Sequence, residues 1–133
     1  MKLEGGCQCG DVRYRVEGEP LHAAFCHCTD CRKSAGAPVV AWAAFNHAEF
    51  EVLQGDAAVF NSSGTAMRHF CPRCGTGLWY TNAEYLPGIV DIQIATLDDP
   101  EALPPGAHIQ VAERVSWMKD TTQVPEFARY PGG

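Results

Sequence analysis

Three observations predict a mainly β fold of short antiparallel strands with minor helix, stapled by metal. Apolar residues occur in short runs, several alternating with polar ones, the period of a half-buried strand. Thirteen Gly and nine Pro among 133 residues interrupt these runs too often for long helices. Seven cysteines stand in three tight groups: Cys7-Gln8-Cys9, Cys26-His27-Cys28-Thr29-Asp30-Cys31 and Cys71-Pro72-Arg73-Cys74. A chain of this length, read as the single domain 1–133, buries roughly two-thirds of its unfolded surface. That allows one core without much margin, so a metal staple would help.

The elements follow in order. Val12, Tyr14 and Val16 share one face of a first strand over residues 12–16, directly after the first cysteine pair. A second strand over 21–26 delivers Cys26 at its end. Residues 29–36 form a short helix, with Thr29 or Asp30 able to cap it and Gly36 able to end it. Cys28 and Cys31, three apart, then lie together at its start. Further short strands are expected at 39–45, 49–53, 58–60, 67–70, 78–81, 89–95 and 108–112, and one more short helix at 98–103. The chain shows no repeat, linker or low-complexity tract.

Charge excludes some partners. The net charge is −6, the pI about 5.2, and the longest basic cluster is Arg32-Lys33, so a phosphate backbone is repelled and nucleic acid is not a partner. The start, Met1-Lys2-Leu3-Glu4-Gly5-Gly6, lacks the apolar stretch of a signal peptide. The longest apolar run, 37–45, contains Pro38 and is too short to span a bilayer. A soluble, cytoplasmic protein is expected. In that reducing compartment closely spaced cysteines serve metal or redox chemistry rather than disulfides, and the odd count of seven agrees. Asn61-Ser62-Ser63 matches the glycosylation pattern, which has no meaning without secretion.

The seven cysteines divide most naturally into four and three. Cys71-Pro72-Arg73-Cys74-Gly75 has the form of a zinc knuckle, a tight turn in which Pro72 sets φ and Gly75 is free to take positive φ. Backbone N–H groups in such turns can point at the sulfurs. Joined with Cys7 and Cys9, flanked by Gly5, Gly6 and Gly10, it makes a four-sulfur site closing a loop of more than sixty residues, worth several kcal/mol. The alternative is two pairs of free thiols. Cys26, Cys28 and Cys31 can supply three converging thiolates and leave a fourth zinc position for an incoming ligand. Three thiolates around Zn²⁺ leave a net charge of −1, a poor Lewis acid for water and a better seat for a thiol, which loses its proton there. A redox pair within this group, or ordinary buried cysteines, are the other readings.

Arg32 and Lys33 follow the third cysteine and place positive charge beside an anionic cluster or substrate, or else are solvated. His27 could ligate or transfer protons, but alternation turns its ring away from the sulfurs. His22, His47 and His69 have no evident partner. Trp42, Phe45, Trp79 and Tyr80 line a pocket or fill the core.

Gly6-Cys7-Gln8-Cys9-Gly10, Cys26-His27-Cys28-Thr29-Asp30-Cys31-Arg32-Lys33 and Arg68-His69-Phe70-Cys71-Pro72-Arg73-Cys74-Gly75-Thr76, followed by the stretch from His108-Ile109 to Trp117, resemble the glutathione-dependent formaldehyde-activating enzyme family, also called the Gfa-like or centromere protein V family. The resemblance covers essentially the whole chain. It implies an Mss4-like β-tent with two zinc ions: a structural one on Cys7, Cys9, Cys71 and Cys74, and a second at an active site of Cys26, Cys28 and Cys31. It also implies a carbon–sulfur lyase-type activity joining glutathione, or a similar thiol, to formaldehyde or another small aldehyde. Arg32, Lys33 and Arg68 are the basic residues near the motifs, and Arg32, Lys33 and Trp42 are the candidate substrate-binding residues. A non-catalytic zinc-binding scaffold and a thiol redox enzyme using the Cys26/Cys28/Cys31 cluster are the alternatives.

Overall fold

The computed structural model describes residues 1–132. Two sheets form it. Strands β1 (Lys2–Gly6), β2 (Arg13–Glu17) and β5 (Phe50–Gln54) make an antiparallel three-stranded sheet in the order β1-β2-β5. The second sheet has seven strands: β3 (His22–Cys26), β4 (Val40–Asn46), β6 (Ala58–Asn61), β7 (Met67–Phe70), β8 (Gly77–Asn82), β9 (Leu86–Gln93) and β10 (Ala107–Ile109). Their order is β10-β3-β4-β9-β8-β7-β6. The fold is mainly β, as expected, with one α-helix among the described residues, α1 (Thr29–Ala35), between β3 and β4.

Register assigns each face of the larger sheet. Trp79, Ile92, Ala43 and Ala23 stand opposite one another across β8, β9, β4 and β3, so their side chains leave the same face. That face meets Tyr14 and Val16 of β2 and Phe50 of β5 to form the main core. Tyr14 is fully buried, lies edge-on to Trp79 at 6.0 Å and hydrogen-bonds Thr96 Oγ1 at 2.7 Å. The alternate residues, among them Cys26 and Trp42, point to the other face, where α1 lies. β4 is therefore buried on both sides, which explains its unbroken apolar run.

Several elements depart from the sequence expectations. β1 is a strand that Lys-Leu-Glu-Gly-Gly does not announce. Glycine is needed there because a Cβ on Gly5 would stand 2.6 Å from the Thr96 carbonyl oxygen and 2.7 Å from the Tyr14 hydroxyl. β10 pairs with β3 in parallel, so the larger sheet is not wholly antiparallel. β10 also ends at Ile109 rather than 112, because Gln110 turns to φ 56°. The helix expected at 98–103 is a single 3₁₀ turn, Pro100–Ala102, closed off by Pro104 and Pro105. Gly36 does end α1, at φ 63° with its N–H on the Arg32 carbonyl at 2.8 Å. The N-cap is Cys28 rather than Thr29 or Asp30: its extended backbone aims Sγ at the Cys31 N–H, 3.2 Å away.

Candidate functional site

The structure gathers the cysteines as four and three. Cys7, Cys9, Cys71 and Cys74 bring their sulfurs within 4.8 Å of one another, and so do Cys26, Cys28 and Cys31. In the first cluster Cys7 and Cys9 lie 3.6 Å apart and Cys9 and Cys71 3.7 Å; in the second Cys26 and Cys31 lie 3.6 Å apart. Four ligands at about 2.3 Å on a tetrahedron stand roughly 3.8 Å from each other, so both donor sets fit a tetrahedral thiophilic ion. The distances are far too long for disulfides.

Backbone turns hold the four-sulfur cluster. After β1, the Cys7 N–H reaches the Val12 carbonyl at 3.1 Å, and the Val12 N–H returns to Cys7 Sγ at 3.2 Å. Between β7 and β8, Gly75 takes φ 82° and donates to the Cys71 carbonyl at 2.8 Å, while the Cys74 N–H points at Cys71 Sγ at 3.5 Å. Thr76 ties the turns together: its hydroxyl accepts the Gln8 N–H at 3.1 Å and contacts Cys74 Sγ at 3.3 Å. That hydroxyl, with the Thr76 and Cys9 backbone, holds the Cys74 thiol down at about 5.

Side chains surround the three-sulfur cluster instead. Cys26 ends β3, Cys28 is the extended residue before α1, and Cys31 is in the helix's first turn. Trp42 and Val40 of β4 pack beneath them. Arg68 of β7 spans the site: Nη2 donates to Asp30 Oδ2 at 2.8 Å and lies 3.5 Å from Cys31 Sγ, and Nε donates to Ser62 Oγ at 2.9 Å. Its guanidinium sits 5.0 Å over the Tyr80 ring. The hydrogen bond with Cys26, then those with Cys28 and Arg68, outweigh burial and pull the Cys31 thiol down to about 5. Its neighbours Cys26 and Cys28 are pushed up, Cys26 chiefly by Cys31 and Cys28 chiefly by burial.

Two cavities adjoin across Asp30, Trp42 and Arg68. The one of about 290 Å³ is lined by Cys26, Cys28 and Cys31 together with Tyr80, His22 and Asp91. The other, about 520 Å³, is lined by Trp42, Phe60, Phe70 and Trp79, and also by Lys33 and His69.

Of the candidate substrate-binding residues, Lys33 and Trp42 face the larger cavity, and Trp42 the smaller one as well. Arg32 lines neither. It folds back along α1, with Nε 3.4 Å from the His27 carbonyl and Nη2 3.1 Å from Thr29 Oγ1. The cation beside the sulfurs is Arg68, brought from 37 residues away by strand pairing. Phe45 is core. His27 turns from the sulfurs and meets His108 Nδ1 at 2.9 Å, and burial pushes its pKa below the ordinary imidazole value. His69 stacks on Trp79 at 5.3 Å and reaches Thr81 Oγ1 at 3.3 Å. The sequence reading passes over Asp91; the signal is a lone acid in the apolar run Ile89-Val90-Asp91-Ile92.

Fold and site together define a cysteine-rich β protein with one closed and one open sulfur cluster. The model of the glutathione-dependent formaldehyde-activating enzyme family matches residues 2–113, and the chain belongs to that family. A Halomonas elongata protein whose name assigns it provisionally to glutathione-dependent formaldehyde activation is 30% identical over 142 residues, covering 98% of this chain and 90% of that protein. An uncharacterized lyase of Schizosaccharomyces pombe is 30% identical over 85 residues, covering 62% of this chain and 61% of that protein. A crystal structure of a Rhodobacter sphaeroides protein superposes with a TM-score of 0.63 at 23% identity over 80% of this chain and 99% of that one, a likeness of fold. No helix among the described residues is long and apolar enough to cross a membrane.

Proposed function

We propose that this protein is a zinc-dependent carbon–sulfur lyase-type enzyme that adds a small thiol, glutathione or a similar one, to formaldehyde or another small aldehyde. With glutathione and formaldehyde the product is S-hydroxymethylglutathione. The observation that carries this reading is the convergence of Cys26, Cys28 and Cys31 on one side of an open cavity, in a chain of this family. Cys7, Cys9, Cys71 and Cys74 hold a structural zinc, and Cys26, Cys28 and Cys31 a second one. A zinc ion with an open position supplies thiol activation, lowering the pKa of a sulfur presented to it.

The chain's own residues do the rest. Arg68 keeps positive charge beside Cys31 and offsets an anionic cluster, and its bonds to Asp30 and Ser62 keep it from swinging into the cavity. Trp42, buried between the cavities, excludes water from the sulfurs and gives the thiol's carbon skeleton a flat apolar wall. Lys33, at the edge of the larger cavity, is the cation left to meet a substrate carboxylate, since Arg68 is engaged with Asp30. Holding thiol and carbonyl together converts a bimolecular addition into a local one.

Two measurements test the reading. Native mass spectrometry of reduced protein should find two zinc ions, falling to one in Cys28→Ser. Exchange NMR with glutathione and formaldehyde, and with other thiol–aldehyde pairs, should show line broadening from catalysed exchange; zinc-loaded protein that accelerates none of the pairs would sink the proposal.

A second reading has its own observation: Cys31 beside Arg68 and 3.6 Å from Cys26 has the setting of a nucleophilic cysteine in a redox pair. It requires fast alkylation of Cys31 at neutral pH in the protein as isolated. Slow alkylation that a chelator speeds up eliminates it.

A further inference from the structure

β9 carries one carboxyl group in an otherwise apolar run, and strand register decides where it goes. Asp91 stands opposite Tyr80 on β8 and Ala44 on β4, and the same row continues to Arg68 on β7 and His22 on β3. Val90 and Ile92 face the core, so Asp91 faces the sulfur cavity and lines it with Cys26, Cys28 and Cys31.

The residue is 9% exposed, and its Oδ1 is buried with no hydrogen-bond partner among the described residues. Arg68, the cation in its row, is held by Asp30 and Ser62. The other titratable groups lining the same cavity are His22 from β3, Tyr80 from β8, Asp30 from α1 and the three thiols. None neutralises it by a direct bond. Burial pushes the carboxyl up to about 6, with His22 opposing and Cys31 adding to the rise. A carboxyl kept unpaired at a cost in stability, in the wall of a reaction cavity, is placed for proton transfer.

We propose that Asp91 is the catalytic acid–base of this site, taking the proton from the substrate thiol and returning it to the carbonyl oxygen. The inference rests on the thiol–aldehyde reading and adds the group that completes it. In the first step the thiol S–H bond breaks and its proton passes to the Asp91 carboxylate. In the second the sulfur electron pair forms the C–S bond, the carbonyl π pair moves to oxygen, and that oxygen takes the proton from Asp91. The sum is one thiol plus one aldehyde giving one hydroxyalkyl thioether, with Asp91 restored and no other reagent consumed. A general acid titrating close to the working pH serves both steps, since it accepts and releases the proton with little bias.

The test is proton release on glutathione binding to zinc-loaded protein at pH 7.5, followed with an indicator dye. Wild type should release measurably less than one proton per thiol bound, because the negative charge of the bound thiolate raises the Asp91 carboxyl further and it holds part of the proton, whereas Asp91→Asn should release about one. In turnover Asp91→Asn should lose on the order of a hundredfold in kcat and the acidic limb of the pH profile, and Asp91→Glu should recover part of both. Thiol binding with equal proton release in the two proteins and an unchanged pH profile would overturn the role of Asp91 and leave the thiol reading standing. Absence of thiol binding to either would overturn both.

Discussion

The two sulfur clusters use the same residue type within one small chain, yet they are built differently. Cys7, Cys9, Cys71 and Cys74 sit in glycine-containing turns, with main-chain N–H groups aimed at the sulfurs and Thr76 joining the two turns. Cys26, Cys28 and Cys31 sit on a strand end and a helix start, with Arg68, Tyr80, Trp42 and Asp91 brought round them by the sheet. Main-chain donors cannot move without unfolding the turn, so the first arrangement is rigid. Side chains leave space and carry charge that can respond to a ligand. A closed site ties the chain together, whereas an open one exposes a reactive face.

The largest expected contrast is between removing a sulfur from each cluster. If the four sulfurs hold zinc as proposed, Cys74→Ser should abolish zinc-coupled folding at that site, an effect on the order of 10 kcal/mol, and leave the chain unfolded by circular dichroism at 25 °C. Cys28→Ser should keep the fold and cooperative melting while losing one metal. Equal unfolding by the two variants would erase the distinction.

Arg68→Gln sharpens the electrostatic side. It should cost about 2–3 kcal/mol, because half-buried Asp30 loses its partner. The Cys31 thiol, relieved of its nearby cation, should titrate higher in metal-free protein. Denaturant melts and the pH dependence of alkylation measure the two effects separately.

Asp91→Asn should stabilise the protein by on the order of 2 kcal/mol at pH 7.5. The folded-state carboxyl titrates near 6, above its unfolded value of 3.8, so the folded form binds the proton more tightly. Stability from this group is therefore highest below about pH 4, falls as pH rises through the window up to about 6, and stays low above it. Melts at pH 4 and 7.5 should show the advantage of the variant at the higher pH only. A functional site that sacrifices stability would differ in this way from the structural one.

The smallest effect belongs to Thr76→Val. Losing its hydroxyl should raise the Cys74 thiol and loosen the joint between the two turns, with no change in the second cluster. A shift in Cys31 alkylation in this variant would mean that the two clusters are coupled.

Local pattern carried much of this protein. Alternation at Tyr14 and Val16 marked a real strand because a half-buried strand must alternate, and Gly36 ended α1 because it adopts positive φ without strain. The spacing of the cysteines announced which sulfurs share a turn. Other features had no local signal: β1 is a strand because β2 offers it a partner and Tyr14 leaves room only for glycine at position 5. The parallel pairing of β10 with β3 depends on a long connection whose course no short window records.

By itself, then, the sequence determined the short-strand β class, the four-plus-three grouping of the cysteines and the turn chemistry around them, because each is written in residues close along the chain. Only the tertiary structure decided that Arg68 rather than Arg32 meets Cys31, that Trp42 divides two cavities, and that Asp91 faces the sulfurs unpaired. Those facts depend on the register of five neighbouring strands. Sliding one strand by a single residue would turn each of its side chains to the opposite face, and the sulfur cavity would lose its acid and its cation.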